Sequence, residues 1–177
     1  MHVAFTAAAL AVRVISAGSG AAGSGVVLDR WTVATSAELV SSAEDGKVYV
    51  FVAADAEPIV AWVEAMSPTG VAWLDLEVPL KEEVRLATAT SKGAAVRAGY
   101  WGPDVASTLR GRVIDSVLAS CSRYSEFLAA GPVLVRVLRT TFRVPPGALG
   151  AGVLDSSGKL VGILVGTIGS YGAVVSL

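Results

Sequence analysis

Few side chains in this 177-residue sequence are equipped for chemistry. His2 is its single histidine and Cys121 its single cysteine, which excludes an intrachain disulfide and a C-x-x-C redox centre and argues against zinc. His2 sits in the terminal stretch and is assigned no role. Cys121, between Ser120 and Ser122, would need a base beside it to act as a nucleophile, and no histidine is placed to serve, so it is read as structural. A serine paired with Lys92 or Lys159 is the remaining route to nucleophilic hydrolysis. Gly18-Ser19-Gly20-Ala21-Ala22-Gly23 matches the G-x-G-x-x-G pattern of dinucleotide sites. That pattern works through a helix N-terminus behind it, whereas Ser24-Gly25-Val26-Val27-Leu28 reads as a strand. No cofactor and no metal are expected.

The elements that must position any site are legible as period-two alternation rich in β-branched residues. Strands are predicted over 11–16, 25–29, 32–34, 47–53, 58–65 and 71–78, and again over 94–100, 112–117, 133–138, 152–154, 160–165 and 173–176. Asp155-Ser156-Ser157-Gly158 is a hairpin turn between two of them. Six short strands per half suggest an all-β chain built as a pair of antiparallel barrels or sandwiches. One stretch dissents: Val113 to Ala130 also carries apolar residues at helical spacing, so a short helix within it is an alternative. Phe5 to Val12 has the look of a short signal core but lacks a basic segment before it, and no apolar run approaches the ~18 residues a membrane span needs. A cytoplasmic location is expected, with secretion as the alternative.

Charge divides the chain. Residues 1–84 carry 11 acidic and 4 basic side chains, residues 85–177 carry 4 and 10, and the net charge is −1. Halves of opposite sign should attract one another across an interface, or the basic half, with Arg110, Arg112, Arg123, Arg136, Arg139 and Arg143, should face an acidic partner. Nucleic acid is disfavoured because no aromatic residues interleave with the basic ones. The sequence also contains no Asn and no Gln, a depletion that fits either a hot-living source or a GC-rich genome.

Six segments, in order, carry a family resemblance. Gly23-Ser24-Gly25-Val26-Val27-Leu28-Asp29 is followed by Thr35-Ser36-Ala37-Glu38-Leu39-Val40, then by Gly70-Val71-Ala72-Trp73-Leu74. Ala95-Val96-Arg97-Ala98-Gly99-Tyr100-Trp101-Gly102-Pro103 precedes Ser107-Thr108-Leu109-Arg110-Gly111-Arg112-Val113, and Arg139 to Leu154 holds Pro145-Pro146-Gly147-Ala148-Leu149-Gly150-Ala151-Gly152. Together they resemble the protease domain of the HtrA/Deg branch of the trypsin-like, chymotrypsin-fold serine proteases. The resemblance implies two six-stranded antiparallel Greek-key β-barrels, over 1–84 and 85–177, in one protease-fold unit without a PDZ domain. It also implies that Glu38 stands at the histidine position, Gly70 at the aspartate position (with Asp75 as a shifted alternative) and Leu149 at the nucleophile position.

A leucine has no lone pair with which to attack a carbonyl, and a carboxylate at Glu38 does not restore it. The resemblance therefore implies an inactive homologue, with vestigial oxyanion-hole amides at Gly147 and Leu149. Ala148 and Ala151, in place of the family's usual polar residue and second glycine, leave a different turn open. Leu149 is expected to plug the old cleft or join the core, and Glu38 to fill a vacated pocket. The function expected is protein or peptide binding, or a regulatory or assembly role; a homo-oligomeric building block and a hydrolase with rearranged groups are the alternatives. An open cleft favours peptide binding, and a filled one favours scaffolding.

Overall fold

The computed structural model describes residues 7–81, 87, 90–121 and 133–177. A 3-10 turn (Ala7–Leu10) leads into β1 (Ala11–Ser16), β2 (Ala22–Val27), β3 (Thr32–Ser36), the short helix α1 (Ala37–Val40), β4 (Lys47–Phe51), β5 (Ile59–Met66) and β6 (Val71–Leu76). The second half holds β7 (Ala95–Trp101), β8 (Ala106–Cys121), β9 (Val133–Thr140), β10 (Gly152–Asp155), β11 (Leu160–Ile168) and β12 (Tyr171–Val175). Each set of six closes into an antiparallel barrel, in the order β1-β2-β3-β6-β5-β4 and the equivalent β10-β11-β12-β9-β8-β7.

Alternation explains closure. Val12, Val14, Val33, Val48, Val50, Ala61, Leu74 and Leu76 send every second side chain inward to fill the first barrel, and Val96, Ala98, Val113, Val153, Leu164 and Val174 do the same in the second. Gly18–Gly23 forms a turn and the start of β2 with no helix behind it, as the sequence predicts. Over Val113 to Cys121 the helical alternative is corrected: β8 runs without a break to Cys121 and pairs with β7 on one side and β9 on the other. Val113, Ile114 and Val117 are β-branched, and two flanking ladders outweigh a helical spacing of apolar residues. The remainder of that stretch, Arg123 included, lies outside the described residues, as does His2.

The expected electrostatic seam between the halves is a second correction. Among the described residues the contact between barrels is apolar: Val26, Ala34 and Val71 of the first pack with Leu154, Leu160, Ile163 and Ala173 of the second, and Ala7 and Leu10 join this cluster. The ion pair that is seen, Arg139 with Asp115, lies within the second barrel. Charges brought into such a seam would lose their hydration, and the Coulomb attraction does not reliably repay that loss.

Candidate functional site

The loop after β9 is two tight turns in succession. The Ala148 amide donates to Pro145 O (3.2 Å) and the Ala151 amide to Ala148 O (3.1 Å). Gly147 (φ +87°) and Gly150 (φ +86°) occupy the third position of each turn, where type II geometry demands the left-handed region that L side chains rarely enter. Pro146, with φ preset near the required value, takes the second position of the first turn. Leu149 takes the second position of the second turn, so its side chain projects from an apex and is half-buried.

Both barrels clamp this loop. Ser24, fully buried in β2, donates its hydroxyl to Gly147 O (2.6 Å) and accepts from the Trp101 amide (2.8 Å). Its own amide donates to Leu149 O (2.7 Å), and its carbonyl accepts from Thr35 Oγ1 (2.6 Å). Gly150 donates to Leu164 O (2.8 Å), and Leu164 donates to Ala151 O (2.9 Å). A Cβ on Gly150 would collide with the Ser24 carbonyl and the Thr35 hydroxyl. Among the described residues the amides of Gly147 and Leu149 donate to no acceptor, whereas those of Ala148, Gly150 and Ala151 are all engaged.

A second knot brings the first barrel's residues to the same place. Ser67-Pro68-Thr69-Gly70 is a turn closed by the Gly70 amide on Ser67 O (3.0 Å), with the Ser67 and Thr69 hydroxyls 2.7 Å apart. Gly70 O then accepts from the Ala37 amide at the start of α1 (2.8 Å), which sets the following residue, Glu38, beside it. Gly70 has φ +98°, outside the range of ordinary L residues.

Glu38, Gly70, Gly147 and Leu149 thus line one cavity of about 630 Å³ between the barrels. Glu38 is exposed at its mouth, and Leu149 forms part of the wall without filling the space. Behind them the cavity is apolar, bounded by Ala119, Val135, Val137, Ala173 and Val175. One side is the end of β11, Val165 to Ile168. Here β11 bulges between Leu164 and Gly166 and pairs with β12, while β10 reaches only from Leu160 to Ile163. Among the described residues, one edge of the β11 backbone therefore faces the cavity without a neighbouring strand.

The other candidates lie elsewhere. Asp75, exposed near the far end of β6 and paired with Thr32 and Trp62, is not among the cavity-lining residues. Lys92 and Lys159 are exposed on the second barrel away from it, and among the described residues neither meets a serine hydroxyl. Ser157, beside Lys159, gives its hydroxyl to Asp155 (2.7 Å). Burial alone would raise the Asp155 pKa, but that hydroxyl and the amides of Lys159 and Ser157 hold it below the usual carboxylate value. Asp115 is lowered chiefly by its bond to the Arg139 guanidinium, which is itself raised by it. Cys121 ends β8, and its side chain lies outside the described ones. Among the described residues no three His, Cys, Asp or Glu side chains gather as a metal site, and no helix is long and apolar enough to cross a membrane.

Sequence reading missed Ser24, Thr35 and Trp101 as the residues that set the loop. The signal was present in Gly23-Ser24-Gly25, a lone hydroxyl between small residues in a strand that buries both faces.

Residues 23–163 match the trypsin-like peptidase domain family. No curated protein matches. Among solved structures, the active form of the Rv3671c protease from M. tuberculosis superposes with a TM-score of 0.83 at 22% identity, covering 96% of this chain and 77% of that one. Its inactive form gives 0.79 at 22% identity, covering 96% and 84%. A serine-to-alanine mutant in the inactive form gives 0.78 at 22% identity, covering 96% and 82%.

Proposed function

Because the chain belongs to the trypsin-like peptidase domain family, with Glu38, Gly70 and Leu149 where the family motifs put histidine, aspartate and serine, we propose that it is a catalytically inactive homologue that binds extended peptide segments. The observation that carries this reading is the convergence of those three positions on one open cavity with an apolar back wall, where Glu38, Gly70 and Leu149 supply neither a serine hydroxyl nor an imidazole. Leu149 stands at the apex a nucleophile would need and supplies a hydrocarbon. Gly70 supports the same conclusion more strongly, since at φ +98° its backbone does not accommodate an aspartate side chain without strain. The features that hold a peptide need no triad. The edge of Val165 to Ile168, unpaired among the described residues, offers main-chain donors and acceptors for strand addition, and Val135, Val137, Ala173 and Val175 offer an apolar pocket for an anchoring side chain. The amides of Gly147 and Leu149 are vestiges of an oxyanion hole and remain able to receive a peptide carbonyl.

Two measurements test the proposal together. A fluorophosphonate probe should leave the protein unlabelled, and peptide and ester panels should remain uncut. Selection from a displayed library of linear peptides should enrich sequences with large apolar residues, and Leu149→Arg, which puts a charge at the apolar wall, should weaken the selected peptide by about tenfold or more. Labelling with turnover overturns the inactive assignment, and a library that yields no binder overturns peptide recognition.

A further inference from the structure

The charge that separates the two halves of the chain is left on their outer surfaces. On the outside of the second barrel, β7 and β8 place Arg97 directly opposite Arg110, both exposed. Arg112 follows two residues along β8, its guanidinium donating to Gly93 O (3.0 Å). Exposed Arg143 joins them, because the Thr141 amide bonds to Arg112 O (3.0 Å) and the Phe142 ring lies under Gly111. None of these four guanidiniums meets a carboxylate among the described residues. Like charges directly across a strand pair repel, so the face is less stable alone than with an anionic surface laid over it.

The first barrel carries a surface of the opposite kind. Asp55 and Glu57 lie in the connection from β4 to β5, and Glu77 lies beside it, its amide bonded to Val60 O (2.9 Å). Residues 76–80 run along 30–31 through Leu76 N to Trp31 O (2.8 Å) and Leu80 N to Arg30 O (2.7 Å), which adds Asp29 to the group. Arg30 and Lys81 are basic residues at this end, and Arg13 pairs with Phe51 where the connection begins. In the midst of this acidic end Trp31 is 49% and Val78 53% exposed. A large aromatic ringed by charge is the composition of an interface anchor.

We propose that the arginine face of β7 and β8 docks head to tail on the acidic, Trp31-bearing end of the first barrel of a second copy of this chain. Charge complementarity favours a second copy over an unrelated anion: one chain carries both surfaces, and their charges all but cancel in its net of −1. Such a contact uses different patches on the two partners, so it propagates into rings or open chains and does not stop at a symmetric dimer. It is independent of what the cleft holds, and the cleft residues stay uncovered by it.

Sedimentation velocity of the full chain at about 20 mM and about 500 mM salt tests it, since screening shortens to a few ångströms at the higher value. The expected result is a concentration-dependent ladder of species at low salt that collapses to monomer at high salt. Arg97→Glu with Arg110→Glu, and separately Glu57→Lys with Glu77→Lys, should each weaken assembly at least about tenfold. All four positions are exposed, and an unchanged melting temperature checks that the variants fold. Mixing the two charge-reversed variants should restore assembly, the reversed face of one now meeting the reversed end of the other with the polarity of the contact inverted. A monomer at low salt overturns the proposal, as do assembly that survives both double substitutions and a mixture that stays monomeric. So does a monomer whose arginine face shifts a labelled DNA duplex, which would make the partner a nucleic acid.

Discussion

Ser24→Ala isolates what holds the cleft loop. The substitution removes one oxygen from a fully buried site and leaves the Trp101 amide and the Gly147 carbonyl without their partner. A buried polar group deprived of its bond costs about 1–3 kcal/mol, so two such groups place the loss at roughly 2–6 kcal/mol. For a chain of this size a kilocalorie moves the melting temperature by about 2–4 °C, which puts the expected drop at roughly 5–25 °C. Ser19→Ala, an exposed turn hydroxyl that touches only the Ala21 amide at 3.3 Å, should stay within about 0.5 kcal/mol. Thermal unfolding followed by circular dichroism measures both. Hydrogen exchange then locates the damage: the Trp101 and Ala148 amides should lose protection, while those of Val14 and Val50 in the first barrel keep it. A Ser24→Ala protein that melts within about 2 °C of the unsubstituted chain would refute the claim that this hydroxyl joins the barrels to the loop.

Gly150→Ala and Gly158→Ala form a matched pair, with φ +86° and +82°. Both should lose about 1–2 kcal/mol from left-handed backbone, but the new methyl at 150 meets Ser24 O and Thr35 Oγ1 whereas nothing lies within 4 Å at 158. Chemical denaturation should therefore show a distinctly larger loss at 150, and equal losses would discredit the packing argument. Asp155→Ala tests the hairpin turn through pH: the folded-state pKa of Asp155 is depressed, so its contribution is present at neutral pH and fades as acid carries the pH down through the unfolded and then the folded value. The gap in melting temperature between the parent and Asp155→Ala should be widest near pH 7 and close in acid; a gap independent of pH would remove the carboxylate from the account.

The strands were readable because each barrel interior accepts one face and rejects charge on it, which stamps period two on stretches such as Lys47 to Phe51 and Ala95 to Trp101. Edges blurred where that rule lapsed. β2 begins at Ala22 and not at Gly25, because Gly23 and Ser24 are small enough to lie against Leu149 O and the second barrel, and such residues carry no hydrophobic signal. β8 begins at Ala106, and its run Ser107 to Gly111 is polar on the outer face and interrupted by a glycine over Phe142. The site was readable only as positions in a motif. That Leu149 O meets the Ser24 amide, far back in the first barrel, is a product of how two barrels close on each other, and no local pattern encodes it. The charge asymmetry misled for a related reason: it records where charge lies along the chain, and folding turned both signs outward.

If the chain is the inactive homologue proposed above, the bonds that shape the loop explain how such a frame would outlast its chemistry. Among the described residues every hydrogen bond to residues 145–151 is made by backbone atoms or by the Ser24 hydroxyl, the buried side chains that anchor the loop are those of Ala148 and Ala151, and the side chain at 149 takes part in none of the hydrogen bonds. A substitution at that position therefore breaks no hydrogen bond of the loop, and on the proposed reading a leucine there is compatible with the intact frame. Gly70 differs, because its positive φ and its carbonyl bond to Ala37 make the glycine part of the turn that sets α1 in place. Restoring an aspartate at 70 opposes that backbone, whereas restoring serine at 149 does not. Leu149→Ser should accordingly fold with near-parental stability and, on the inactive reading proposed above, still fail to react with a fluorophosphonate, because that reading puts Glu38 and Gly70 in place of the base and its orienting carboxylate. A labelled Leu149→Ser protein would show that some other group in the cleft, Glu38 foremost, can activate a hydroxyl, and the inactive assignment would then rest on position 149 alone.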